Sequence, residues 1–150
     1  MKAVIQRVSE ASVTVNNAIK DQIKQGLLIL IGIENNDSQE DINWLSKKII
    51  NMRIFDNENG IMNQSIKEID GELLIVSQFT LHASTKKGNR PSYIKAAKPD
   101  VAVPLYNSFL NYMEQLLEKS VKKGVFGADM KIALINDGPV TIIIDSKNKE

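Results

Sequence analysis

Residues 26–33, with the sequence GLLILIGI, form an almost unbroken apolar run. A half-exposed strand alternates apolar and polar residues, whereas a continuous apolar run is typical of a strand that is covered on both faces. We therefore expect a strand here with packed layers on both sides.

Strand-forming segments precede this run. Residues 3–8 and 11–15 predict two strands separated by Ser9-Glu10, and the second segment shows period-two alternation. Asn16-Asn17 suits left-handed turn positions, so residues 18–23 are expected to return as a hairpin partner.

Two helices are expected after the run. The first spans about residues 38–51, because Ser38 and Asp41 match a capping pattern and apolar residues then recur at helical spacing. The second spans about residues 101–119, where Pro104 is tolerable only in the first turn. Its apolar stripe is expected to consist of Leu105, Phe109, Tyr112 and Leu116.

The other segments predict strands and loops. Residues 73–81 predict a strand, and residues 128–135 and 140–144 predict two closing strands. Residues 56–71 and 82–99 carry Gly, Asn and Pro and predict loops, and residues 146–150 predict a frayed tail. Together these elements predict one mixed α/β domain over residues 1–150, with largely antiparallel sheets and two helices packed on one side.

Composition narrows the chemistry. The chain has 19 Lys and Arg against 18 Asp and Glu, so any anionic partner would have to be bound by a local patch. It has no cysteine, which excludes disulfides and thiol nucleophiles, and its single histidine is His82. No targeting signal or membrane span is visible, and we expect a cytoplasmic protein that needs no metal or cofactor.

A Gly-Pro pair stands between the two closing strands, in residues 136–141 (NDGPVT). Gly138 adopts either sign of φ and Pro139 has no N–H, so the pair presents bare carbonyl oxygens. An ordinary hairpin turn joining two buried strands is the simpler interpretation of the pair taken alone.

The predicted strand 73–81 turns polar towards its carboxyl end, where ligands commonly meet backbone donors. Gln78 and Thr80 would share one face. His82 would follow on that face, as a base beside a hydroxyl nucleophile would, although a surface or loop-capping histidine is the simpler interpretation.

The following loop is basic. It contains five cations and no acidic residue, with Tyr93 interleaved; the cations are Lys86, Lys87, Arg90, Lys95 and Lys98. Such a loop could clamp a phosphate backbone while the aromatic ring stacks on a base. A solvated lysine loop is the alternative.

Five stretches of the chain occur together: AVIQRV with ASVTV at 3–15, SQFT at 77–80, KGNRPS at 87–92, FGADM at 126–130 and NDGPVT at 136–141. They occur in the order typical of the D-aminoacyl-tRNA deacylase family. The SQFT motif and the NDGPVT motif are each weakly specific alone, whereas all five stretches in order are strongly specific and cover nearly the whole chain. The chain therefore resembles this family.

The resemblance implies a layered α/β/β fold and a homodimeric ester hydrolase that removes D-amino acids from the 3′ end of tRNA. In the family the Gly-Pro peptide is cis and enters the partner subunit's pocket. Gly138 and Pro139 would then hold the α-ammonium and leave no room for an L side chain. Glycyl-tRNA, which has no side chain, should also be cleaved.

The same resemblance assigns roles to residues. The catalytic strand end would consist of Ser77, Gln78, Phe79 and Thr80, with the amides of Phe79 and Thr80 stabilising the oxyanion and Gln78 positioning the terminal adenosine. Phe126 and Met130 would line the adenine pocket. Arg7 would brace the corner formed by Gly138 and Pro139, called the Gly-Pro corner below.

Two accounts of the attacking step remain. Either the Thr80 hydroxyl is the nucleophile, or a water attacks with help from the substrate's ribose 2′-OH; the second is preferred because Thr80 has no evident general base. The alternative function is a non-catalytic dimer that grips tRNA 3′ ends, and a Thr-dependent hydrolase of small esters is a third.

Overall fold

The computed structural model describes residues 1–150. Its elements, in chain order, are β1 (Lys2–Val15), β2 (Ala18–Ile23), β3 (Gly26–Gly32), α1 (Gln39–Asn51), β4 (Phe55–Asp56), β5 (Met62–Gln64), β6 (Glu72–Ser77), a 3-10 turn (Phe79–His82), α2 (Pro99–Leu117), β7 (Lys122–Lys123) and β8 (Lys131–Asp145). Neither helix is long and apolar enough to cross a membrane.

The main sheet is mixed and mostly antiparallel. Its order is β2-β1-β3-β6-β7, and β8 pairs with β1 on the other side. β1 runs antiparallel to β2, β3 and β8, whereas β3 and β6 run parallel, from Gly26 opposite Glu72 to Ile31 opposite Ser77. The predicted fold class, a mixed α/β protein with two helices, is confirmed.

Both faces of β3 are buried, as the apolar run predicts. Ile29 and Ile31 join the larger core that the helices cover, whereas Leu28 joins a smaller core on the opposite face. The helices pack against each other on the larger core. All buried residues of the smaller core belong to strands of this same sheet, with residues of β8 packed against them, so β3 lies between two apolar clusters.

The predicted break at Ser9-Glu10 is wrong, since β1 continues through both residues to Val15. At these two exposed residues the pairing along one edge of β1 changes from β3, whose pairing ends at Val8, to β2, whose pairing begins at Ala11, while β8 along the other edge pairs with both Val8 and Glu10 and keeps the strand continuous. The expected loop at 56–71 also contains structure, because β4 and β5 pair as a small antiparallel hairpin.

The helices begin and end close to the predicted positions. The capping box at Ser38 and Asp41 is confirmed, with the Ser38 N–H donating to the Asp41 carboxylate at 2.9 Å. The second helix begins earlier than expected, at Pro99, so Pro104 lies inside it and not in its first turn. Its buried stripe is also displaced from the predicted one and consists of Ala102, Tyr106, Phe109, Leu110, Met113 and Leu117.

The Gly-Pro pair does not form a hairpin turn between two buried strands, so that simpler interpretation is wrong. β8 is one strand along β1, and most of its residues remain partly or fully exposed. Gln6 pairs with Thr141 and Val8 with Asn136, so residues 137–140 stand opposite Arg7 alone. The extra residues are extruded as a bulge, where a proline without an N–H is tolerated.

The carboxyl-terminal tail is anchored at its start, contrary to the expected fraying. Ser146 is buried, its N–H donates to the Met1 carbonyl at 2.9 Å, and its hydroxyl donates to Asp41 at 2.7 Å. Lys147 Nζ donates to the same carboxylate at 2.8 Å. The end of the chain is therefore attached to the start of α1.

Candidate active site

A cavity of about 250 Å³ opens at the carboxyl ends of the parallel strands β3 and β6. This is where open α/β sheets commonly bind ligands. Five of the predicted site residues line it, namely Ser77, Gln78, Phe79, Phe126 and Met130. Apolar side chains from β3, β8 and α2, including Ile31, Ile132 and Ala102, close its walls.

The predicted strand 73–81 is too long. β6 ends at Ser77, and residues 79–82 form a 3-10 turn in which Leu81 N–H donates to the Gln78 carbonyl at 3.3 Å. Gln78 and Thr80 therefore do not share a strand face. The last ladder bond at this end of the strand is donated by Gln78 N–H to the Ile31 carbonyl, at 2.8 Å.

The 3-10 turn changes what the backbone offers. The first N–H groups of any helix have no carbonyl of a preceding turn to donate to. Here those groups belong to Phe79 and Thr80, next to the cavity. The turn thus supplies two adjacent amide donors, the arrangement that stabilises an oxyanion.

Gly32 lets this turn lie close to β3. A Cβ on Gly32 would stand 3.0 Å from the Gln78 carbonyl oxygen and 3.1 Å from Cδ2 of His82. The side chain of Gln78 is also held, because its Nε2 donates to Oγ1 of Thr80. The position of the amides is therefore determined by packing of the turn against Gly32, and the orientation of the Gln78 side chain by its hydrogen bond to Thr80.

His82 is buried, with 3 % of its surface exposed, so the interpretation as a surface histidine is wrong. Its Nε2 has no hydrogen-bond partner. Its ring lies close to Gly32. Because residues 79–82 form a 3-10 turn, His82 does not lie on a strand face beside Thr80, where a base for that hydroxyl would stand.

The far wall of the cavity rests on α2. The ring of Phe126 packs against that of Tyr106 at a centroid distance of 5.6 Å. The Tyr106 hydroxyl donates to the Ile75 carbonyl at 3.1 Å, and burial raises its pKa to about 12. Sequence reasoning missed Tyr106, although its spacing of three from Phe109 and four from Ala102 was available as a signal.

The Gly-Pro corner is built around Arg7. Arg7 is buried, and its Nε donates to the Asp137 carbonyl at 2.9 Å, while Nη1 donates to the Ile54 carbonyl at 2.8 Å and to Asp56 at 3.2 Å. The Gly138-Pro139 peptide is cis, and both residues are exposed. The contribution of Ile54 and Asp56 has no signal in the sequence.

The corner and the cavity lie apart within one protomer. None of Gly138, Pro139 and Arg7 lines the cavity, and Thr80 only borders it through Gln78. Along β8, Gly138 is six residues from the cavity-lining Ile132, which corresponds to roughly 20 Å of extended strand. One protomer therefore presents two separate features.

The fold and the cavity define a mixed α/β protein whose candidate site lies at the end of a parallel strand pair. A solved structure of the same fold, described as the c-Myc DNA Unwinding Element Binding Protein, is 40% identical with a TM-score of 0.91, covering 97% of this chain and 98% of that one.

Sequence comparison specifies the family. Proteins named D-aminoacyl-tRNA deacylase from Flavobacterium psychrophilum and Bacteroides fragilis are 67% and 65% identical over 150 residues, covering 100% of each chain. The D-Tyr-tRNA(Tyr) deacylase family matches residues 4–145. The chain belongs to this family, which confirms the resemblance drawn from the five motifs.

Proposed function

We propose that the protein hydrolyses the ester bond of D-aminoacyl-tRNA, releasing the D-amino acid and free tRNA. It is a hydrolase of the kind named in its relatives, which share 61–67% identity over full length. The observation that carries the site assignment is the pair of amides at the start of the 3-10 turn, beside a cavity of about 250 Å³. That volume is just below the ~300–1,000 Å³ of common ligand pockets and suits a single nucleoside.

The terminal adenosine occupies the cavity. Its base lies between Phe126 and Met130, since single-stranded RNA ends are recognised by stacking and edge contacts. Gln78, held by the Thr80 hydroxyl, donates to the nucleoside. This places the ester that joins the ribose to the amino acid at the mouth of the cavity.

The chemistry begins with a water whose oxygen attacks the ester carbonyl carbon. The carbonyl oxygen becomes an oxyanion that accepts hydrogen bonds from the amides of Phe79 and Thr80. The ribose 2′-OH takes part in moving the proton of the water to the departing 3′-oxygen. Collapse of the intermediate breaks the bond between the carbonyl carbon and the 3′-oxygen, leaving a tRNA with a 3′-hydroxyl and a carboxylic acid that releases its proton to solvent as the carboxylate.

A homodimer completes the site. The exposed carbonyls of Gly138 and Pro139 enter the partner's cavity mouth and accept hydrogen bonds from the substrate's α-ammonium. An L side chain would then overlap the main chain, and steric overlap discriminates more steeply than a favourable contact does. Glycyl-tRNA carries no side chain to exclude and is cleaved as well.

Arg7 holds the corner in this position. Its guanidinium binds the Asp137 carbonyl on one side and the chain at Ile54 and Asp56 on the other. We place the reaction in the cytoplasm, where aminoacyl-tRNA is used.

The deciding experiment is hydrolysis of D-Tyr-tRNA and L-Tyr-tRNA by the purified protein. We expect release of D-tyrosine and protection of L-Tyr-tRNA. Equal rates on both, or tight tRNA binding without cleavage of either, would contradict the proposal, and the second result would favour a dimer that only grips tRNA ends.

A further inference from the structure

The basic loop, defined here as residues 83–98, begins at the 3-10 turn, where Ala83 N–H donates to the Thr80 carbonyl at 3.0 Å, and is fastened to the rim of the cavity at its other end. Ser84 and Ser92 exchange two backbone hydrogen bonds of 2.8 and 2.9 Å, which close off a tip of residues 85–91. At the other end, Ala97 N–H donates to the Ile33 carbonyl at 2.9 Å, and Ala97 lines the cavity. The tip therefore projects from a fixed point beside the cavity mouth.

The tip carries positive charge that no acidic group neutralises. Lys86, Lys87 and Arg90 are exposed and form no ion pair within the protein, in contrast to Lys147 and Lys119, which pair with Asp41 and Asp70. No Asp or Glu occurs between residues 82 and 99. Because the whole chain has a net charge of only +1, this is a local concentration of charge.

An exposed aromatic pair stands between the tip and the cavity. The rings of Phe79 and Tyr93 meet edge to face at 5.1 Å, and they are 56% and 39% exposed. Gly88 turns the tip at φ +70°, and a Cβ there would meet nothing within 4 Å, so the tip stands clear of the rest of the protein. Aromatic faces beside free cations are the combination that binds single-stranded nucleic acid.

We propose that this tip binds the phosphates of the unpaired nucleotides preceding the terminal adenosine, with Tyr93 stacking on one of their bases. The proposal rests on the proposed function, since the adenosine must occupy the cavity for its preceding phosphates to reach the tip. The tip then supplies binding to the RNA and takes no part in ester cleavage.

The test compares two substrates that share the ester but not the phosphates, D-Tyr-tRNA and the D-tyrosyl ester of adenosine. The variant Lys86→Gln/Lys87→Gln should raise KM for D-Tyr-tRNA about tenfold, leave kcat within about twofold, and leave hydrolysis of the adenosine ester unchanged. The slope of log(kcat/KM) for D-Tyr-tRNA against log[salt] should become smaller in magnitude by about 1.4, because each of the two lost single-strand phosphate contacts accounts for about 0.7.

The matched control is Lys24→Gln/Lys47→Gln, which removes the same charge from two exposed lysines that do not line the cavity. It should leave both substrates unaffected. If Lys86→Gln/Lys87→Gln slowed the hydrolysis of both substrates equally, the loop would only support the cavity. If the control variant raised KM for D-Tyr-tRNA as much as Lys86→Gln/Lys87→Gln does, the effect would be one of general charge. Either result would overturn the inference, as would no effect at all.

A second readout separates this inference from the proposed function. If the wild-type protein cleaves neither substrate, the proposed function fails. Binding of a fluorescent, non-aminoacylated tRNA acceptor hairpin, measured by fluorescence anisotropy, still tests the tip. A weaker affinity of the double variant for that hairpin supports the inference. The inference is overturned if the wild-type protein binds a DNA duplex of equal length as tightly as the hairpin and the double variant loses both affinities equally. That result would indicate a general nucleic-acid-binding patch.

Discussion

The Thr80 hydroxyl accepts the hydrogen bond that orients the side chain of Gln78, which gives it a structural role. His82, the only imidazole in the chain, lies buried beneath the turn. The Thr80 hydroxyl is hydrogen-bonded to the Gln78 amide and to no imidazole or carboxylate that could act as its general base, which favours attack by a water.

We expect Thr80→Ala to retain activity within about tenfold of wild type, because the backbone amide remains and only the support of Gln78 is lost. Single-turnover hydrolysis of D-Tyr-tRNA measures this. A loss beyond about 10³-fold in a variant with an unchanged circular dichroism spectrum would instead identify the hydroxyl as the nucleophile.

At the scale of elements, the decisive contact is that of the 3-10 turn on β3. Gly32→Ala places a methyl group 3.0 Å from the Gln78 carbonyl oxygen and must displace the turn by a few tenths of an ångström. We expect kcat to fall about tenfold, because small displacements of oxyanion donors are costly. The measurement is kcat on D-Tyr-tRNA together with urea denaturation.

Gly60→Ala is the matched control for that change. Gly60 has φ +71° in an exposed turn, and an added Cβ would meet nothing within 4 Å. It should lose about 1 kcal/mol of unfolding free energy from backbone strain and keep full activity. Equal kcat for the Gly32 variant and wild type would show that the turn tolerates the shift.

Periodicity and turn residues were sufficient to predict both helices, the hairpin at Asn16-Asn17 and the doubly covered strand β3. Local patterns could not place what long-range pairing decides. The extent of β1 and β8 depends on their pairing with each other, and the turn after Ser77 depends on the absence of a methyl group at Gly32. For the site, the motifs contained five residues that line the cavity, whereas the supports from Tyr106, Ile54 and Asp56 arise from chain crossings 31 to 49 residues apart.

For the molecule as a whole, the anchored tail predicts a pH dependence of stability. Burial opposes ionisation of Asp41, but hydrogen bonds from Lys147, Ser146 and Ser38 outweigh it and hold its pKa well below the ordinary value. A carboxylate whose pKa is depressed by folding stabilises the fold above its unfolded pKa of about 3.9, and this contribution is lost as the pH falls below that value.

Asp41→Asn should therefore lower the unfolding free energy at pH 7, and the difference from wild type should shrink as the pH falls from about 4 to about 2. Urea denaturation at a series of pH values measures both curves. A difference that stays constant over this range would show that the carboxylate charge does not matter.

The proposed dimer predicts complementation between two inactive variants. Gly138→Ala brings a Cβ within 2.8 Å of Val140 Cγ2 and 3.1 Å of Nη2 of Arg7, so it should distort the corner, whereas Gln78→Ala damages the cavity. If the corner acts in the partner's cavity, a mixed dimer contains one intact site. Random mixing should then restore about a quarter of wild-type activity.

The control is each variant mixed only with itself after the same unfolding and refolding, which should stay inactive. A mixture with no recovery, despite heterodimers detected by native mass spectrometry, would place the corner at its own protomer's cavity or at neither.

The long strand β8 joins Ile132, in the wall of the cavity, to the corner at Gly138 and Pro139. In the dimer that we propose, each β8 would connect the pocket of its own protomer to the corner that enters the other pocket. We therefore expect occupancy of one pocket to be communicated to the other, so that successive substrates are not bound independently.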